Sequence, residues 1–230
     1  PLNLEPPLDY RTLQAPPDGA PVGPSWAARY LEPEHDSQKL AALRAARPGF
    51  GRRITELVEQ LRAAGAQVRV ESAVRSRERG YLLFGSFWLG RASSDAQAEH
   101  RIERLQAYNR EWRLNVPITW RHPEGLAASV AQAQRLSDTY GVVYATIRGA
   151  RRSRHYGGRA VDLSVVDLPR RLQLTGTDGV RGTFDLSDPD QTRDLSLSPE
   201  VVAWVEQHFQ LRKLRADYPH WSDPLREGVQ

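Results

Sequence analysis

Hydrophobic residues along this chain follow two spacings, one helical and one strand-like, and the helical one dominates the first 140 positions. Residues 37–46 carry apolar side chains at three- and four-residue steps and predict a helix. A second is predicted over about 52–64, where Ile54, Leu57, Val58 and Leu61 share a face and Gly65 supplies a stop. Residues 67–74 alternate instead, with Val68 and Val70 on one side, and predict a strand. Ser76 is placed to cap a helix that runs through 81–89. Ser94 is placed to cap another, on which Ile102, Leu105, Tyr108 and Trp112 form one stripe. A loop with Pro117 and Pro123 covers 114–124, and a helix over 125–140 ends at Gly141.

Strand signals then take over, at 142–147 and 160–166. Residues 171–186 predict a β-hairpin turning at Asp178-Gly179. Ser198-Pro199-Glu200 opens a short helix with Val201, Trp204, Val205 and His208 inward, and 211–221 reads as strand then loop. Helices first and strands later imply an α+β fold with one small antiparallel sheet packed with helices.

The first 33 residues stand apart, because they hold half of the 16 prolines. Such a stretch makes neither a long helix nor a central strand. It reads as an extended arm on the domain, or a linker, with Trp26, Tyr30 and Leu31 able to pin its end. Residues 34–230 read as one domain with a helical insert over about 92–124.

Composition narrows the classes. At 230 residues, 40% hydrophobic and 26% charged, the chain is ordinary globular material rather than disordered or fibrous. No apolar run reaches the ~18–20 residues of a membrane span. With no cysteine, disulfides, thiolate metal sites and cysteine nucleophiles are excluded. That absence suits an exported protein, and a chain starting at Pro1 is consistent with a removed signal peptide. The net charge is +4 and the pI near 9.6, and 30 of the 32 basic residues are arginines. A basic surface favours nucleic acid, anionic lipid or an anionic wall polymer. Coding bias toward arginine accounts for it equally well, and no nucleic-acid motif is present, so no nucleic-acid partner is expected.

The chemistry concentrates in two segments. One is Ser153-Arg-His155-Tyr-Gly-Gly158-Arg-Ala160-Val-Asp162; the other is Asp217-Tyr-Pro-His220-Trp221. Together they offer two imidazoles, a carboxylate and a spare carboxylate. Three nitrogen or oxygen ligands with one open position are the donor set of a catalytic zinc. The Gly157-Gly158 turn lets the chain fold back so that His155 and Asp162 can face one point. Asp217, three residues before His220, can reach a metal-bound water without being a ligand.

The pattern Ser-x-His-x-x-Gly-x-Ala-x-Asp resembles the first zinc motif of the D-Ala-D-Ala metallopeptidases. That group also contains lysostaphin-type peptidases and the hedgehog amino-terminal domain. Ser153, His155, Gly158, Ala160 and Asp162 match it, and Asp217, His220 and Trp221 match its second motif. The Asp-x-Pro-His form is similar to the L-alanyl-D-glutamate endopeptidase branch. Ser72, Arg75 and Ser76 match a third family segment, in which the arginine stabilises the charge of the intermediate.

The resemblance spans roughly 52–221 and implies a hedgehog/D,D-peptidase-like fold. It implies zinc held by His155, Asp162 and His220, with Asp217 and Arg75 catalytic, and a peptidoglycan stem peptide as substrate in the periplasm or outside the cell. Ser153, Arg154 and Trp221 are the substrate-contact candidates. Arg148, Arg151, Arg152, Arg154 and Arg159 could attract stem-peptide carboxylates. The alternative is a non-catalytic, zinc-containing relative that binds wall peptides or a protein.

Bland readings stand beside these. Asp162 could cap a turn, Asp217 could be a turn residue, and Arg75 could pair with Glu71 or Glu78. His35, His100, His122 and His208 read as structural, and Tyr81, Phe84, Phe87 and Trp88 as core rather than a sugar platform.

Overall fold

The computed structural model describes residues 12–224 and is a mixed α+β protein. Helices α1 (Asp36–Ala46) and α2 (Pro48–Ala63) lead to strand β1 (Gln67–Ser72). Helices α3 (Arg77–Leu89), α4 (Asp95–Glu111), α5 (Leu126–Thr139) and the short α6 (Ile147–Arg152) follow. Then come β2 (Ala160–Val166), β3 (Arg171–Thr175), β4 (Arg181–Asp185), α7 (Pro199–His208), β5 (Arg212–Lys213) and β6 (His220–Ser222). The chain divides into two compact units, each made of two stretches.

The sheet unit takes Glu32–Arg75 and the chain from Arg154 onward. Its antiparallel sheet has the order β1-β2-β6-β5. Val161, Leu163 and Val165 alternate onto the buried face of β2. The apolar stripe of α2 (Ile54, Leu57, Val58, Leu61) and Val201, Val205 and Phe209 belong to the same aliphatic core. The β3–β4 hairpin adds Leu172, Leu174 and Phe184. Its turn holds Gly179 at φ +81°, a conformation cheap only for glycine. Gln60 of α2 ties down the hairpin edge, donating to Thr175 O at 2.9 Å and accepting from Thr175 N at 2.7 Å.

The aromatic unit takes the described residues up to Leu31 together with Ser76–Ser153, a wider interruption than the 92–124 read from the sequence. Ser76 and Ser94 cap α3 and α4 through Arg79 N and Gln97 N. Residues 19–22 run beside 117–119: Val22 N donates to Thr119 O at 2.8 Å and Thr119 N to Ala20 O at 3.0 Å. The proline-rich stretch from residue 12 is therefore part of this unit's wall. Trp26 is fully buried, whereas Leu31 is 51% exposed and pins nothing. Pro1, Pro6 and Pro7 lie outside the described residues.

One expected strand is absent. Residues 142–147 form no ladder, and Val143 and Tyr144 are 90% and 77% exposed. Among the described residues no strand of this unit offers them backbone partners, so β-propensity has nothing to act on. Thr146 instead caps α6 by accepting from Gly149 N at 3.0 Å. No helix of the described residues is long and apolar enough to cross a membrane.

Candidate metal centre

Asp162 sits on β2 between Val161 and Leu163 and so points away from the aliphatic core. Antiparallel register places Ser72 of β1 opposite it on one side and His220 of β6 on the other. Opposed residues present their side chains to one face about 5 Å apart. Between Val70 and Ser72 the register shifts, so that Ser72 rather than Glu71 faces Asp162. Ser72, Asp162 and His220 thus form a row across three strands. His155 reaches the row from a 3-10 turn, Arg154–Gly157, just ahead of β2. The turn closes at Gly158, at φ +60°, where an added Cβ would stand 2.7 Å from the Ala46 Cβ.

The donor atoms make a small triangle. His155 Nε2 lies 3.4 Å from His220 Nδ1 and 3.4 Å from Asp162 Oδ1, and His220 Nδ1 lies 3.1 Å from Asp162 Oδ1. Three ligands about 2.1 Å from one ion in a tetrahedral set stand about 3.4 Å from each other. His155, Asp162 and His220 could therefore hold a metal ion. The imidazole of His155 is oriented for this. Its Nδ1 lies 2.9 Å from the Ala73 carbonyl, which only accepts, so Nδ1 carries the proton and Nε2 keeps a lone pair. Burial alone would push the Asp162 carboxyl up. Where the two rings carry a proton on the nitrogens that face it, hydrogen bonds and charge from His155 and His220 outweigh burial and hold the group well below the usual carboxylate range.

Around the triangle stand groups of mixed origin. Asp217 Oδ2 is 4.0 Å from His220 Nδ1, and the side chain is 52% exposed. Arg75 Nη2 is 4.0 Å from Asp162 Oδ2. Its partner is neither Glu71 nor Glu78 but Glu32, which accepts from Nε at 3.0 Å, while Ser72 Oγ accepts from Nη2 at 3.0 Å. Ser72 Oγ also donates to Glu32 at 2.8 Å. Sequence reasoning missed Glu32, which lies 43 residues before Arg75 and inside the supposed arm.

It also missed Lys213. The buried ammonium donates to Leu214 O at 3.1 Å and Asp217 O at 2.9 Å, so it holds the loop that presents Asp217 and His220. Burial lowers its pKa, and the carboxylates of Asp217, Asp162, Asp194 and Glu206 offset part of that. A signal was there: Lys213 is one of two lysines beside 30 arginines. The other, Lys39, likewise donates to a backbone carbonyl, Val70 O, at 2.6 Å. A compact ammonium suits such a carbonyl nest where a planar guanidinium would not. Tyr218 clamps the same loop by donating to Asp194, and burial with that carboxylate pushes its phenol up to about 12.

The three substrate-contact candidates fare differently. Trp221 is fully buried in the aliphatic core, so it is no substrate platform; neighbouring residues of a strand face opposite ways, and His220 takes the site face. Arg154 Nη1 donates to Ser222 Oγ at 3.2 Å and Asp223 O at 3.0 Å, bracing the end of β6. Ser153 is the half-buried C-cap of α6. His208 pairs with Asp178 at 2.8 Å and rests on the Trp204 ring, away from any ligand set.

The site is thus a two-histidine, one-carboxylate cluster with a spare carboxylate at its edge. Comparison of the chain with protein-family models, with curated proteins and with solved structures found no match.

Proposed function

We propose that this protein is a zinc peptidase that hydrolyses amide bonds of peptidoglycan stem peptides, as a D,D-carboxypeptidase or an endopeptidase. In this reading the sheet unit has the hedgehog/D,D-peptidase-like fold, and the enzyme works in the periplasm or outside the cell. The observation that carries the reading is the triangle of His155 Nε2, Asp162 Oδ1 and His220 Nδ1, with edges of 3.4, 3.4 and 3.1 Å. It is built from the residues that resemble the two zinc motifs.

A bound zinc would supply Lewis acidity, acidifying a water and polarising the scissile carbonyl. The chain's own groups do the rest. Asp217 Oδ2 accepts a proton from the attacking water and passes it to the leaving amine nitrogen as the C–N bond breaks. One water is consumed, and a carboxylate and an amine are released. Lys213 and Tyr218 keep the Asp217 loop in place during both transfers. Arg75 is held beside Asp162 by Glu32 and Ser72, and its Nη1 remains to donate to the developing oxyanion.

Digestion of purified sacculi, with new termini identified by mass spectrometry, tests the reading. The wild type with one zinc per chain releases free D-Ala or exposes new L-Ala, D-Glu or diaminopimelate ends, and Asp217→Asn does not. Zinc-loaded protein that releases nothing overturns it. The second reading, a zinc-holding relative that binds wall peptides without cutting them, is favoured by the Arg75–Glu32 pair at 3.0 Å, which already neutralises the guanidinium. Saturable binding of muropeptides without turnover would select it.

A further inference from the structure

The aromatic unit contains a cavity of about 580 Å³ lined by residues of α4 and α6. From α4 come Arg104, Tyr108, Glu111 and Trp112, and from α6 come Ile147, Arg148, Arg151 and Arg152. The periodicity explains the gathering. Steps of four, seven and eight from Arg104 share one helix face, as do Arg148, Arg151 and Arg152 at steps of three and four. Two helix faces thus line one groove with four guanidiniums and a single carboxylate.

The floor is preorganised. Tyr108 and Trp112 stack at 5.0 Å with planes 13° apart, and the Arg104 guanidinium lies 4.6 Å over the Tyr108 ring. Arg148, Arg151 and Arg152 are exposed or near-exposed, and among the described residues no ion pair neutralises any of them. Arg148 and Arg152, one turn apart on a six-residue helix without an acid, repel one another. A concave site of one sign concentrates counter-ions, and the guanidinium fork matches phosphate and carboxylate oxygens two at a time.

We propose that this cavity is a binding site for a multivalent oxyanion, a small molecule or polymer segment carrying two or more phosphate or carboxylate groups, seated between α4 and α6 over the Tyr108–Trp112 floor. The site shares no residue with the metal cluster, and the proposal stands apart from peptidase activity.

Isothermal titration calorimetry on the whole protein, at fixed ionic strength, tests it with tripolyphosphate, citrate and acetate as probes. Tripolyphosphate or citrate binds at one per chain, and whichever is tighter tells phosphate from carboxylate; acetate does not saturate. Arg148→Ala/Arg152→Ala weakens the preferred probe by about tenfold or more, and Arg104→Gln weakens it from the facing helix. The charge-matched control Arg52→Ala/Arg181→Ala, at exposed positions of the sheet unit, changes it less than about twofold. Circular dichroism confirms that each variant is folded. No saturable binding to the wild type, equal affinity for acetate, or equal losses in both double variants overturns the proposal.

Discussion

The two units bury different chemistry. Among the described residues of the aromatic unit, Arg79 is the one charged side chain that is buried, and it lies 4.9 Å over the Tyr140 ring. That core is held by rings: Tyr81 donates to Leu105 O at 3.0 Å, accepts from Trp120 Nε1 at 2.6 Å and packs edge-on to Trp120 at 5.8 Å. The sheet unit buries His155, Lys213 and Asp223 beside an aliphatic core. Asp223, 1% exposed, is clamped by Arg47 at 3.1 Å and Arg53 at 3.0 Å. Buried charge is costly unless paired and hydrogen-bonded. Of these groups, His155 stands in the cluster with Asp162 and His220, and Lys213 holds the loop that leads to His220.

The largest expected effect separates the units outright. His155→Ala or His220→Ala lowers bound zinc from about one per chain to none by elemental analysis, while Tyr81→Phe leaves it at one. Next is stability. Asp223→Ala leaves two guanidiniums without their carboxylate and destabilises the sheet unit by about 3–5 kcal/mol in denaturant titration. Tyr81→Phe loses one buried hydroxyl pair at about 1–3 kcal/mol. Equal losses would erase the contrast.

Acid tests the same cluster. Metal ligation needs donors with a free lone pair, so zinc affinity falls as the pH is lowered. In metal-free protein the depressed Asp162 carboxyl contributes stability above its unfolded value of 3.8, and this is lost as pH falls further. Asp162→Asn should flatten that acid limb in thermal melts. Lys213→Arg is a smaller change. It should keep the zinc but cut turnover about tenfold by displacing the Asp217 loop. Asp178→Asn, at the solvent-exposed partner of His208, should barely move the thermal melt and leave zinc and turnover unchanged.

Local order was largely readable. Caps such as Ser76 and Ser94, the Gly179 turn and the 160–166 strand depend on a few adjacent residues, and they stand where the pattern puts them. The segment 142–147 misleads because a strand exists only if another strand accepts its backbone, which its own residues cannot announce. The site divides the same way. His155, Asp162 and His220 were legible because a ligand must be one of few residue types at a spacing a turn can close. Trp221 was misassigned because adjacency to a ligand along a strand means the opposite face.

The sequence by itself settled the α+β class and the donor types, since periodicity and side-chain chemistry are local properties. Only the tertiary structure decided that Glu32 holds Arg75, that Lys213 holds the Asp217 loop, and that a bulge after Val70 sets Ser72 opposite Asp162. Those contacts join residues far apart in the chain, and their partners are selected by register and burial, which no short stretch of residues encodes.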